Sequence, residues 1–367
     1  MNQDSTPTRD DFLKWRSPVR GTQNPERMGN PFWDWCIRNR DSACAANEKF
    51  DGPDSSSDGA CWCFDRMGQA HVELPDGREV YIAGEHEDHY DPDFYIYNDV
   101  VIIDGNQIQI LGYPTTVFPP TDFHVATLVG SDIFLIGNLG YPDDRMPGKT
   151  QVLRLNVETW QISQVRTNGT VPGWIHDHTA AHSHSENAII VSGGKLFGGR
   201  ILENFDDYKL CLKTLTWTRL TDRKWGRWIL EREDGDANKL WEIRTASWNR
   251  DLGISMGGKL KDTLAELPPD LVSGLTPKAS NDQMGQIKNL YQSPFTNDVA
   301  TEDDEQCGRY RLEIQGTTVR FDEDMYSIVV TVEGDLPAET IEVILSNLKN
   351  RLSTIENTTY TVTQIDA

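Results

Sequence analysis

Ile133-Phe134-Leu135-Ile136-Gly137 decides the fold, because the chain says it three times: Val80-Tyr81-Ile82-Ala83-Gly84 precedes it and Ile189-Ile190-Val191-Ser192-Gly193 follows it. Each is an apolar run stopped by glycine, short for a helix and of the length of a buried strand. Each is preceded by a histidine and a short apolar run: His71-Val72, His124-Val125-Ala126 and His178-Thr179-Ala180. The histidines stand 53 and 54 residues apart, and the closing glycines follow them by 13, 13 and 15 residues. The two extra residues of the third repeat fall in the polar turn Ser183-His184-Ser185-Glu186-Asn187. A long polar loop, a third run and a polar or aromatic fourth run complete each repeat. A period near fifty built from short strands predicts a β-propeller with one four-stranded blade per repeat. One blade cannot bury both faces, so neighbours must stack on it.

Around this centre the chain divides into four stretches. Residues 1–58 form an N-terminal arm, loose to about 28, followed by docking helices in the aromatic-rich Pro31 to Ile37 and Ala43 to Phe50. Residues 59–250 are the propeller, which Cys61-Trp62-Cys63-Phe64 enters as a strand. Three repeats fall short of the usual four. Residues 221–250, with Trp225, Trp228, Trp241 and Trp248, read either as a decayed fourth blade or as an amphipathic helix. An incomplete propeller would need helices over its open edges, and residues 251–308 carry helical spacing followed by an acidic linker. Residues 309–367 read as a small α+β module in ββαβ order. Its parts are a hairpin about Gln315-Gly316, a strand from Ser327 to Val332, a helix from Ala338 to Ser353 and a strand from Tyr360 to Ile365. On the helix, Ile341, Ile344, Leu345, Leu348 and Leu352 share a face. The expected class is mainly β: an incomplete kelch-like β-propeller with helical cover plus this module.

The repeats resemble those of the kelch-repeat, galactose-oxidase-like β-propeller family over roughly residues 60–220. The third repeat carries the likeness best, with Gly193-Gly194 as the double glycine and Tyr208 and Trp217 at the tyrosine and tryptophan positions. The second keeps Gly137 and Trp160 but has Asn138 and Val152 at the other two. The first keeps Gly84, follows it with Glu85, and has Asn98-Asp99-Val100 and Ile108 further on. The resemblance implies a propeller scaffold. The family's enzymes include a copper-radical oxidase and a sialic-acid epimerase, and the defining residues of neither can be placed here.

Composition narrows the partners. With 35 basic against 57 acidic side chains the net charge is −22, which repels nucleic-acid backbones and anionic membranes. No apolar run approaches the roughly 18 residues of a membrane span. Met1 to Asp11 lacks the apolar core of a secretory signal, so a cytoplasmic protein with reduced thiols is expected. Cys36, Cys44, Cys61 and Cys63 match no zinc spacing, and no phosphate loop, nucleophile elbow, HExxH or dinucleotide fingerprint occurs.

In a four-stranded blade the loop after the second strand shares a face with the connection to the next blade. Here these loops are the long ones: 85–96, 138–149 and 195–206. Tyr90, Phe94, Tyr95 and Trp174, with Asp91 and Asp93, would rim that face and hold a protein or glycan partner. The alternative is a metal-dependent enzyme. His86 and His89, among Glu85, Glu87, Asp88, Asp91 and Asp93, could ligate a divalent cation. His71, His124 and His178 could converge as three imidazoles at a propeller axis. Against these stand an acidic solvent loop whose carboxylates cap turns and core histidines paired to neighbouring backbone.

Overall fold

The structure is a computed structural model that describes residues 6–53, 59–86, 91–222, 224–238, 289–303 and 308–365. The chain is mainly β, with several antiparallel sheets, none closed among the described residues. It divides into two compact units, Met1–Thr221 and Asp222–Ala367. Among the described residues no helix is long and apolar enough to cross a membrane.

The first unit opens with helix α1 (Arg9–Trp15), strand β1 (Glu26–Arg27) and helices α2 (Pro31–Asn39) and α3 (Ala43–Lys49). The stretch expected to be a loose arm is therefore structured. Thr8 and Asp11 form a capping box that starts α1, and Phe12 inside it is fully buried. Asn30 caps α2 ahead of Pro31, and Arg40 ends it in the left-handed region.

Three antiparallel meanders follow. The first comprises β2 (Ala70–Glu73), β3 (Glu79–Ile82), an inserted hairpin β4 (Glu85–His86) and β5 (Tyr95–Ile96), then β6 (Asp99–Asp104) and β7 (Gln107–Gly112), with β1 added beyond β7. The second runs β8 (Val125–Val129), β9 (Asp132–Ile136), β10 (Val152–Asn156) and β11 (Ile162–Gln164). Next come β12 (Asn168–Gly169) and β13 (Trp174–His176). The third has β14 (Thr179–Ser183) and β15 (Ala188–Ser192), a hairpin β16 (Lys195–Phe197) and β17 (Ile201–Glu203), then β18 (Tyr208–Cys211) and β19 (Thr216–Arg219). Cys61 to Phe64, expected as a strand, is buried but belongs to no sheet.

The sheets stack face to face, and the two-residue period of each strand divides its side chains between neighbours. Val100 and Ile102 of β6 pack with Ile133 and Leu135 of β9. On the other side of β6, Val101 joins Phe12, Phe32, Trp33 and Trp62, so α1 and α2 cover the outer face of the first sheet. Phe134 and Ile136 of β9 turn the opposite way, toward Ile189, Val191, Leu210 and Trp217 of the third sheet.

The first strands of the three meanders, β2, β8 and β14, neighbour one another in series. Register defines their equivalent positions, because Ala70, Val125 and Thr179 oppose Ile82, Ile136 and Ser192. Two residues earlier stand Gly68, Phe123 and Asp177, all left-handed, with φ of 60°, 48° and 56°. Phe123 donates its backbone N–H to the Gly68 carbonyl at 3.0 Å, and Asp177 donates to the Phe123 carbonyl at 2.8 Å. The leading residue of the second and of the third meander thus hangs on its predecessor.

Among the described residues the second unit holds one six-stranded antiparallel sheet. Its strands are β20 (Gly226–Arg232), β21 (Thr301–Glu302), β22 (Arg309–Ile314), β23 (Thr317–Glu323), β24 (Ser327–Val332) and β25 (Tyr360–Ile365), in spatial order β21-β22-β23-β24-β20-β25. Residues 226–232, weighed above as a fourth blade or a helix, are instead a strand between β24 and β25. Helix α4 (Ala338–Glu356) lays Ile344, Leu345, Leu348 and Leu352 on Tyr310, Leu312, Phe321, Val330 and Tyr360. The helical spacing expected in residues 251–288 lies outside the described residues.

The ladder of leading residues can be tested at Gly68. A Cβ there would overlap the Phe123 backbone nitrogen, whereas at Gly130, with nearly the same φ, it would meet nothing. Gly130→Ala should cost about 1–2 kcal/mol, the strain of a left-handed alanine. Gly68→Ala should cost roughly 3 kcal/mol or more. Urea midpoints at unchanged slope measure the difference.

Candidate functional site

The long loops build their own structure and bond to one another. After β3, the β4–β5 hairpin receives the second loop: Ile96 donates its N–H to the Tyr141 hydroxyl at 2.9 Å, and Phe94 meets the Tyr141 ring edge-on at 5.6 Å. After β9, the loop holds a 3₁₀ turn, Pro142–Asp144. Trp174 of β13 donates its indole N–H to the Leu139 carbonyl at 3.0 Å. Strand β13 pairs with β16, and the Arg145 guanidinium lies 5.5 Å from the Phe197 ring centre. The loop face is therefore one bonded surface within the first unit.

A charged cluster lies beneath it. Asp122 is fully buried and accepts the Gly140 N–H at 2.6 Å. Burial is the main force raising its pKa, opposed by a hydrogen bond with the Glu85 carboxyl, by Gly140 and by Arg145. A carboxyl–carboxyl hydrogen bond requires one partner to hold a proton. Burial lowers the Arg145 pKa, and the two carboxyls oppose that. This arrangement can hold one proton and offer one cation. Asp122 and Arg145 were not singled out in the sequence, because they are joined through space across two loops with no fixed spacing.

The expected site residues separate. Tyr90 and His89 lie outside the described residues. Trp174 is buried, and Phe94 and Tyr95 are half-buried, Tyr95 stacking edge-on against Tyr97 and under the Arg20 guanidinium. Asp91 is half-buried, and Asp93 reaches His86 Nε2 at 3.6 Å. His86 is buried, with its Nδ1 on the Cys63 sulfur at 3.4 Å.

The three leading histidines are not equivalent. By register, Gln69 is the counterpart of His124 and His178. His71 is instead the exposed second residue of β2, stacked on Tyr81 at 4.5 Å. Gln69 donates its amide N–H to the Phe64 carbonyl at 3.1 Å. His124 and His178 are buried, and among the described residues neither ring nitrogen of either has a hydrogen-bond partner. His178 sits against Gly137 and Gly194, where a Cβ would collide with it. Among the described residues no three His, Cys, Asp or Glu side chains stand together so as to hold a metal ion.

No family model matches the chain, and no curated protein does. Among solved structures the chain is similar to the structure of YjhT, with 13% identity and a TM-score of 0.33. The likeness covers 46% of this chain and 58% of that one, less than two thirds of its length.

Burial keeps the inner histidines neutral. It lowers the pKa of His124 from 6.5 to about 3, with His178 adding to the effect. His176 and His178 fall to about 4, again chiefly through burial. The unfolded chain takes up protons on these groups below about pH 6.5 while the folded chain does not, so their contribution is lost as pH falls toward about 4. Stability should drop by up to about 1.4 kcal/mol per pH unit for each. His124→Gln, which copies Gln69, should remove about a third of that slope in urea titrations between about pH 6.5 and 4.5.

Proposed function

We propose that the three meanders are blades of an incomplete kelch-like β-propeller and that the protein is a binding module whose long-loop face holds a protein partner. The blade reading is supported by the stacked sheets and the serial first strands. On this reading the N-terminal helices supply the cover that an open propeller requires.

The observation that carries the partner is where the large side chains point. Described rings that would stack on a sugar are engaged within the loops: Trp174 is buried, and the half-buried Tyr141 is held by the Ile96 N–H and the Phe94 ring. Met146 and Ile201 face solvent instead, 45% and 42% exposed, on two loops joined by the Arg145–Phe197 contact. Exposed apolar side chains beside guanidinium groups suit the centre of a protein–protein interface better than a glycan groove.

The test compares the immobilised full chain with a Met146→Asp, Ile201→Asp double variant and with Val343→Asp, an exposed apolar position in the second unit. A partner captured by the wild type and by Val343→Asp should bind the double variant about thirty-fold more weakly. Equal capture by all three, or binding to a glycan array without a protein partner, would reject the reading.

A further inference from the structure

Three thiols of the first unit, Cys36, Cys61 and Cys63, are buried close to the same backbone segment. Cys36 and Cys61 both direct their sulfur at the Trp62 carbonyl, at 3.8 and 3.9 Å. Burial raises both thiols, Cys61 to about 12 and Cys36 further. Cys63 also directs its sulfur at a carbonyl, that of Asp65 at 3.6 Å, but it has a titratable neighbour as well. Its sulfur lies 3.4 Å from His86 Nδ1, and the opposite ring nitrogen, Nε2, lies 3.6 Å from the Asp93 carboxylate. One nitrogen faces the thiol and the other stands at ion-pair distance from an acid, too long for a hydrogen bond in this state but placed to steady the imidazolium once the imidazole takes a thiol proton.

The surroundings hold this geometry. Cys63 is fixed by its N–H to the Tyr97 hydroxyl at 3.3 Å, and its neighbour Trp62 by an N–H to the Arg16 carbonyl. His86 is fixed by the pairing of β4 with β5. The Arg66 guanidinium, with no exposed side-chain surface, donates to the Cys63 carbonyl at 2.9 Å while both its terminal nitrogens pair with the Asp99 carboxylate, so it anchors the Cys63 backbone.

We propose that Cys63, His86 and Asp93 form a thiol–imidazole–carboxylate relay that makes Cys63 a nucleophile toward hydrogen peroxide. Cys63 is 3% exposed, which limits the reactant to a small neutral molecule. His86 takes the thiol proton. The thiolate attacks one peroxide oxygen, an S–O bond forms and the O–O bond breaks, and the departing hydroxide takes the proton back from His86 as water. Sulfur loses two electrons, peroxide gains them, and a sulfenic acid remains.

The full chain is exposed to hydrogen peroxide between about pH 6 and pH 9, quenched with catalase, unfolded and alkylated with iodoacetamide. Fragment mass spectrometry then counts the free thiol left at each cysteine. Cys63 should be consumed about ten-fold faster than Cys36 or Cys61 at neutral pH, with half-maximal rate below the roughly 8.5 of a free thiol. His86→Gln and Asp93→Asn, each checked for a native melting profile, should slow Cys63 alone. Equal consumption of the three thiols in the wild type would overturn the relay. So would a Cys63 rate that rises only above about pH 8.5, or one unchanged in a folded His86→Gln protein.

Discussion

A backbone hydrogen bond between equivalent residues of successive meanders sets the geometry of the first unit. Phe123 donates to Gly68 and Asp177 donates to Phe123, and all three lie in the left-handed region. For Phe123 and Asp177 that conformation costs about 1–2 kcal/mol each. A net hydrogen bond returns about 1 kcal/mol, so the bond alone does not offset the strain. Burial does: each leading residue starts a strand whose alternate side chains fill the space between two sheets, and one buried aliphatic side chain contributes about 1.5–3 kcal/mol. The left-handed residue is what aims the strand there. Second bonds repeat the arrangement one step outward, from Gly84 N–H to the Thr121 carbonyl and from Asn138 N–H to the Ile175 carbonyl.

Much of this was legible in the sequence, and its limits have physical causes. The apolar runs ending in glycine are β3, β9 and β15, because closing a strand with a left-handed turn leaves glycine as the easiest residue. The last module's helix and strands lie where their spacing put them, since helix α4 shows the 3.6-residue period over nineteen residues. The histidine alignment slipped in the first repeat. Its first hairpin holds one residue more than the second between paired ends, Ala70 and Ile82 against Val125 and Ile136. Gly84 also stands one place beyond the counterpart of Gly137, which is Ala83, so counting back from glycine placed His71 where register places Gln69. A slip of two residues keeps a side chain on the same face of a strand, so the apolar pattern could not reveal it. The Thr8–Asp11 capping box was present to be read and would have marked α1.

The loops and the core obey different constraints. The loop aromatics fold inward because a long loop must satisfy its own backbone, and Tyr141 and Trp174 do this with a hydroxyl and an indole N–H. What remains outward is what no loop needs internally, and this leaves Met146 and Ile201 exposed. The Asp122–Glu85 pair and the His86–Cys63 contact each join segments that the sequence separates by a strand or more. Only the pairing and stacking of the sheets brings them together.

Strand β20 shows most clearly why linear division of this chain fails. Its seven residues alternate toward burial and carry Trp228 and Arg227, a pattern a short helix or an isolated strand satisfies equally well. Its partners settle its identity: Arg227 opposes Thr331 on one side and Ile365 on the other. A strand inserted between two others completes both ladders, and without it β24 and β25 would each present an unpaired edge. Arg232 at its end meets Glu356 of α4 at 3.0 Å, with both side chains buried, so removing the strand would also leave a buried carboxylate without its cation, a loss of about 3–5 kcal/mol. The folded module therefore begins at β20 rather than at residue 309, and the sheet can close only after the chain has travelled some hundred residues and returned. Pairing across that separation must offset its loop-closure entropy before any hydrogen bond forms. Formation of this sheet should accordingly be slower than that of the local hairpins β8–β9 and β14–β15.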